Sequence, residues 1–220
     1  MLNIKNNQFW IFDLDDTLYN EIDFLKSGYR FISKSLEPYL KFNIYEEMIL
    51  YYYQNKSTFD IIKDKYEFPF SISDIVKMYR NHYPILYLPE ESKKILNFLK
   101  SKKIKMGLIT DGRSISQRNK IKSLDISKYF DKIIISEEVG HSKPSLNIFR
   151  KFNNTSYDYV YVADNTKKDF ITPNKIGWKT ICLIDNGKNI HKQDFTLSKE
   201  FLPQYKIISF EDIIKNDNKK

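Results

Sequence analysis

Short apolar runs and helical spacings alternate along most of this chain. Strand-like runs lie near residues 8–13, 104–109, 131–136, 158–163, 179–184 and 205–209. Each is too short for a helix and rich in Ile, Val, Phe or Tyr. Between them, PEESKKILNFLKSKK over 89–103 and SLNIFRKFN over 145–153 space their apolar residues as one face of a helix requires. Strand and helix in alternation predict parallel pairing with helices on both faces. The expected class is therefore α/β, with a doubly wound, mostly parallel, Rossmann-like sheet.

Residues 20–86 break the pattern. EIDFLKSGYRFISKSLEPYL, IYEEMILYYYQN, STFDIIKDKYEF and SISDIVKMYRNHYP all show helical apolar spacing, and none reads as a strand. Ser57 and Ser71 suit helix N-caps, and Pro38, Pro69 and Pro84 suit breaks. The expected layout is a core of residues 1–19 and 87–220 with an all-helical domain, 20–86, inserted into it. At 220 residues and 41% hydrophobic, the chain is long enough for both. The terminal stretch Asn216–Lys220 reads as a disordered tail.

The first strand, in FWIFDLDDTLYN, ends in two carboxylates, Asp13 and Asp15, separated by Leu14. In an extended chain both acids point to one face. Clustered carboxylates repel unless a proton or cation lies between them. Magnesium takes oxygen ligands and keeps room for waters and a phosphate, so it is the expected third party. The plainer alternative is a strand running into an acidic turn, with Asp16 as a helix cap. Three further runs also end in polar residues. IKMGLITDG ends in Thr110, Asp111 and Gly112; HSKPSLNIF places Lys143 before Pro144, near an expected helix start; and YDYVYVADNTKKDF ends in Asp164, with Asp169 five residues later. Taken singly, Thr110 suits a turn cap, Lys143 a solvated lysine, and Asp164 and Asp169 local turn or surface acids. Arg113 and His141 read as surface residues, and the lone Cys182, inside TICLI, as a buried strand residue.

In this order the segments resemble the four motifs of the haloacid dehalogenase-like hydrolase superfamily, and the resemblance spans almost the whole chain. LITDGRSISQRNKIKSLDISKYFDKIIISEEVGHSKPSLNIF is similar throughout to small phosphatases of that superfamily. One departure is Ala163, where many members have Gly. The resemblance implies Asp13 as the nucleophile that forms an aspartyl-phosphate, and Asp15 as the general acid and base. It implies Thr110, Asp111 and Lys143 at the phosphate. It implies Mg²⁺ held by Asp13, the main-chain carbonyl of Asp15 and Asp164, with Asp169 behind them. The insertion resembles the helical cap that many members place over the site. Asp15 favours a phosphatase, because dehalogenases and phosphonate-cleaving members lack this second acid. A phosphomutase, or a binding module without catalysis on the same fold, are the alternatives. The implied substrate is a small phosphorylated metabolite, either a sugar phosphate or a nucleoside monophosphate. Tyr19, Asn20, Glu21 and the run Tyr51–Tyr53 are candidates to meet it.

Net charge is +8 and the isoelectric point about 9.2, which raises nucleic acid as a partner. The basic residues are spread through every segment, which argues against a dedicated patch. General attraction for small phosphates remains the reading. No 18-residue apolar span or cleavable leader pattern is present, so no membrane partner and a cytoplasmic location are expected. Monomer and homodimer stay open.

Overall fold

Trp10 and Phe12 of the first strand point to one side of a sheet and Ile11 to the other, each fully buried. The same alternation recurs with Met106 and Leu108 against Ile109, and with Val160 and Val162 against Tyr161 and Ala163. Apolar side chains on both faces explain why these strands read as unbroken runs, and they require cover on both sides. The computed structural model, which describes residues 4–218, supplies it. The strands are β1 (Gln8–Phe12), β2 (Lys105–Thr110), β3 (Lys132–Ile135), β4 (Asp158–Ala163), β5 (Lys179–Leu183) and β6 (Tyr205–Ile207). They pair in the order β3-β2-β1-β4-β5-β6, every pair parallel. The expected doubly wound α/β architecture is therefore present.

Four helices, α1 (Glu21–Leu40), α2 (Tyr45–Tyr53), α3 (Thr58–Lys65) and α4 (Ile72–Asn81), lie between β1 and β2. They share an apolar cluster of their own, centred on Ile32, Leu36, Met48, Ile62 and Ile75. The remaining helices are α5 (Glu90–Ser101), α6 (Ser114–Ser123), α7 (Ser136–Val139), α8 (Leu146–Phe149), α9 (Ile171–Lys175) and α10 (Glu211–Asn218). Ile95 and Leu99 of α5, Ile121 of α6 and Ile213 of α10 cover one face of the sheet, while Ile148 and Phe149 of α8 cover the other.

Several local expectations need correction. Pro38 does not end α1, which runs two residues further and stops where Lys41 turns left-handed (φ 66°). The helix expected over 145–153 is a single turn. Pro144 precedes its N-cap, Ser145, and is joined to Lys143 by a cis peptide bond; Lys143 lies in the loop just before this short helix, near its start as expected. Ser71 forms a full capping box with Asp74, whereas Ser57 gives its hydroxyl to Asp60 and caps no amide. Residues 216–218 of the expected tail continue α10; Lys219 and Lys220, like Met1–Asn3, lie outside the described residues. Among the described residues no helix is long and apolar enough to cross a membrane.

Gly28 shows how tightly α1 and α4 are joined. A Cβ built there lies 2.5 Å from the Tyr79 ring. Alanine ordinarily stabilises a helix interior by about 1 kcal/mol over glycine. Here Gly28→Ala should instead destabilise by about 1–3 kcal/mol through overpacking, read as a lower midpoint in urea unfolding; an unchanged or higher midpoint would refute this packing argument.

Candidate active site

The sheet order sets β1 between β2 and β4, and the connections leaving β1 and β4 diverge, opening a crevice at their carboxyl ends. Asp13 follows β1 directly, its N–H donating to Val162 O at 2.9 Å, so pairing extends one residue beyond the strand. Asp164 follows β4 directly, and Thr110 closes β2. Three of the expected residues thus meet because three neighbouring strands end at one level.

Lys143 reaches them from its loop. Its ammonium, wholly buried, lies 2.7 Å from Asp13 Oδ1 and 2.7 Å from Asp169 Oδ1, and donates to Tyr161 Oη at 3.3 Å. Burial alone would lower its pKa, but Asp13 and Asp169 hold the proton and raise it well above the ordinary lysine value. Asp169 also accepts from Tyr161 Oη (3.2 Å) and from the Asn165 N–H (3.0 Å), which occupies both its oxygens. Asp111 accepts the Lys143 N–H at 3.0 Å and pairs with Lys168 at 3.1 Å. With its carboxylate so engaged, any contact of Asp111 with a phosphate falls to its main-chain N–H. Thr110 Oγ1 is buried and has no partner among the described residues, a hydroxyl left free for a ligand.

Asp15 lies on the opposite side of the same turn. It accepts from Tyr19 Oη, from Lys120 Nζ at 2.8 Å and from Gln117 Nε2 at 2.9 Å. Burial works to raise its pKa, yet the charge of Lys120 and these three donors hold it below the ordinary carboxylate value. Asp16, in a left-handed conformation (φ 55°), accepts the Glu21 N–H at 2.7 Å and the Ile190 N–H at 2.9 Å. Asp16 is thus not the N-cap of α1, which is Asn20, but its carboxylate still binds the first amide of that helix from the turn beside the site.

A chamber of about 170 Å³ lies among these groups, lined by Asp13, Asp15, Asp16, Glu21, Thr110, Asp111, Asp164, Asn165, Lys168 and His191. Burial, reinforced by Asp169, pushes Asp13 up to about 7 against the pull of Lys143. Burial with Asp169, Asp13 and Asp16 pushes Asp164 up to about 9. Burial and Asp15 push Glu21 up to about 8. Carboxylate oxygens of Asp13, Asp164 and Asp169 lie within 4.8 Å of one another. Hard oxygen donors so close and so reluctant to ionise fit a divalent cation, which reverses the penalty. Asp13 and Asp164 line the chamber and Asp169 does not, so Asp13 and Asp164 are the side chains placed to hold it.

Four features were not read from the sequence. Gln117 and Lys120 sit on α6, whose buried face (Ser116, Gln117, Lys120, Ile121) is mostly polar and gives no apolar stripe. Their i, i+3 spacing directly after TDG is the available signal. Tyr161 lies inside an apolar run and looks like core. The segment 185–195 folds over the site. Asp185 Oδ1 accepts the N–H groups of Gly187, Lys188 and Asn189, and Gln193 donates to Asp164 O (2.9 Å) and Leu183 O (2.8 Å). Asn189 then reaches Asp164 Oδ2 at 2.9 Å. Other expectations hold: His141 and Arg113 are exposed, and Cys182 is buried with its thiol pushed up by burial and Asp164. Of the run Tyr51–Tyr53 that ends α2, Tyr51 and Tyr52 pack on the helical cluster and Tyr53 is exposed.

Residues 10–183 match the family model described as haloacid dehalogenase-like hydrolase. A glyceraldehyde 3-phosphate phosphatase of Methanocaldococcus jannaschii is 32% identical over 94% of this chain and 96% of its own length. A second protein of that name, from Pyrococcus abyssi, is 28% identical over 77% of this chain and 78% of its own. Among solved structures, the hydrolase YfnB of Bacillus subtilis, bound to magnesium, superposes with a TM-score of 0.66 at 15% identity, covering 97% of this chain and all of that one. The chain belongs to the haloacid dehalogenase-like hydrolases.

The raised acids fix the sign of a pH effect. Asp13, Glu21 and Asp164 titrate higher in the fold than in the unfolded chain, so their contribution to stability is present in acid and is lost as pH rises through about 7, 8 and 9 respectively. Asp15, held low, acts oppositely and only below the ordinary carboxylate range. The thermal midpoint of chelator-treated protein should fall as pH rises through that window. A divalent cation should restore it more at the alkaline end, where protons compete less for Asp13 and Asp164. A cation effect independent of pH would contradict this account.

Proposed function

We propose that this member of the family is a magnesium-dependent phosphatase of a small sugar phosphate, acting through an aspartyl-phosphate on Asp13. The observation that carries the reading is the convergence of Asp13, charge-paired with Lys143, and the hydroxyl of Thr110, unpartnered among the described residues, on one chamber. A three-carbon sugar phosphate is the proposed substrate class. The near full-length similarity to proteins named glyceraldehyde 3-phosphate phosphatase supports it, as does a chamber of about 170 Å³, which suits a phosphoryl group with a short leaving group.

The chemistry follows from what each residue can do. Asp13 Oδ2, the oxygen turned away from Lys143, attacks phosphorus, and the bond to the ester oxygen breaks as the new P–O bond forms. Thr110 and Lys143 receive the equatorial oxygens, Lys143 also limiting repulsion between Asp13 and the incoming dianion. Asp15, held low before substrate binds, takes up a proton as the phosphate dianion enters beside it, gives that proton to the departing alcohol and, again a carboxylate, removes one from the water that opens the acyl phosphate. Magnesium bound by Asp13, Asp164 and the Asp15 carbonyl supplies charge neutralisation at the phosphoryl group. Asp169, held by Tyr161 and Asn165, keeps Lys143 extended toward Asp13. The helical residues 20–86 act as a cap that closes the chamber against water, and we place the enzyme in the cytoplasm.

Phosphate release from a panel of sugar phosphates, nucleoside monophosphates and an aryl phosphate, with and without Mg²⁺, tests the reading. Release should require Mg²⁺, favour the three-carbon esters and fall roughly 10⁴-fold or more in Asp13→Asn. Substantial turnover by that variant would remove Asp13 from its role, and a preference for nucleotides would overturn the substrate class.

A further inference from the structure

Two lysines are committed to acids around the ends of β1, β2 and β4, and Asp164 takes neither of them. Lys143 serves Asp13 and Asp169, and Lys168 serves Asp111. On the side of Asp15 the cation is Lys120, which comes from the core helix α6 and is 3% exposed. Its ammonium is 2.8 Å from Asp15 Oδ1, 3.9 Å from Glu21 Oε1, and 4.3 Å from the centre of the Phe24 ring. Glu21 and Phe24 belong to the first turn of α1, so one buried charge joins the acid of the turn, an acid of the helical insertion and an aromatic face. Gln117, one turn earlier on α6, fixes the other Asp15 oxygen while also donating to Asp111 O at 2.6 Å.

We propose that Lys120 is a positioning residue for departure of the leaving group: it holds the Asp15 carboxylate, and Glu21 beside it, at the end of the chamber where the ester oxygen leaves. The inference rests on the reading of Asp15 as acid and base given above. Among the described residues Asp15 has no other cationic partner. Without Lys120 it would face Asp16 and Glu21 with only the hydroxyl of Tyr19 and the amide of Gln117 to hold it, and repulsion would turn it away from the ester oxygen. Lys120 itself touches neither phosphorus nor nucleophile, so its loss should be felt in proportion to how much the leaving oxygen needs a proton.

That dependence gives the test. With a covalent intermediate, kcat/KM reports events up to departure of the alcohol. An alkyl ester such as glyceraldehyde 3-phosphate needs its oxygen protonated; 4-nitrophenyl phosphate releases a stable phenolate and does not. In Lys120→Met, kcat/KM for the alkyl ester should fall roughly 10- to 100-fold through kcat, whereas the aryl ester should change by less than about threefold. The ratio between the two esters is independent of the fraction of enzyme that folds, so a poorly folded variant still answers. Lys120→Arg, which retains the charge, should recover most of the ratio. Equal loss on both esters, or an arginine variant with the methionine variant's ratio, would overturn the inference. A wild-type enzyme inert toward both would instead overturn the phosphatase reading and this inference with it.

Discussion

Carboxylates gathered in the interior at the end of a sheet persist only where cations meet them, and the contact of Lys143 with Asp13 and Asp169 is the one on which the rest of the site depends. Two unit charges at 4 Å attract by about 4 kcal/mol at an effective dielectric of 20. Such a gain offsets burial of an ion only when its remaining donors and acceptors are also satisfied. They are: Tyr161 and Asn165 complete Asp169, Asp111 fixes the Lys143 main chain, and Lys168 completes Asp111. The order of strands follows the same need, because β1 and β4 must be neighbours for Asp13 and Asp164 to share a chamber.

The residues that could be read from the sequence are those whose position is set by a strand end. Asp13, Thr110 and Asp164 each stop an apolar run, and a polar residue that stops a buried parallel strand has few places to be except the crevice. The sheet and its partly covered faces were equally legible, since strands buried on both sides cannot hide their composition. Lys143 was found by its neighbourhood to Pro144 rather than by its true setting, which is a loop and a single helical turn. The remainder was hidden for definite reasons. Gln117 and Lys120 occupy the buried face of α6, where polarity is the opposite of what an amphipathic pattern announces. Tyr161 uses its ring as core and its hydroxyl as site, and sequence sees only the ring. The segment 185–195 is held by side chains bonding main-chain amides, and such turns carry no periodic signal.

On the chemistry proposed above, the site also divides by what it is attached to. The nucleophile end is built wholly from the sheet and its loops, with Lys143, Asp111 and Asp169 braced against each other. The leaving-group end is shared: Asp16 accepts amides from Glu21 at the start of α1 and from Ile190 of the overlying segment, and Lys120 of the core reaches Glu21 and Phe24 of α1. A scaffold arranged in this way can vary its substrate at one end without disturbing phosphorus chemistry at the other.

The charge balance of the chamber gives the proposed magnesium its physical reason. Although the chain carries a net charge of +8, six acids and a single lysine, Lys168, line the chamber itself. Lys143 and Lys120 add two positive charges from its walls, but each is already shared between two carboxylates. Burial keeps Asp13, Glu21 and Asp164 from ionising readily, and a phosphate monoester dianion beside an ionised Asp13 adds negative charge that scattered surface lysines, screened beyond about 10 Å, do not relieve. Protonating Asp13 would relieve it and destroy the nucleophile. A divalent cation at Asp13 and Asp164 removes the excess at the point where phosphorus must sit and leaves Asp13 ionised to attack. Crowding of acids that destabilises the empty fold is thus the same feature that makes the loaded site attractive to phosphate.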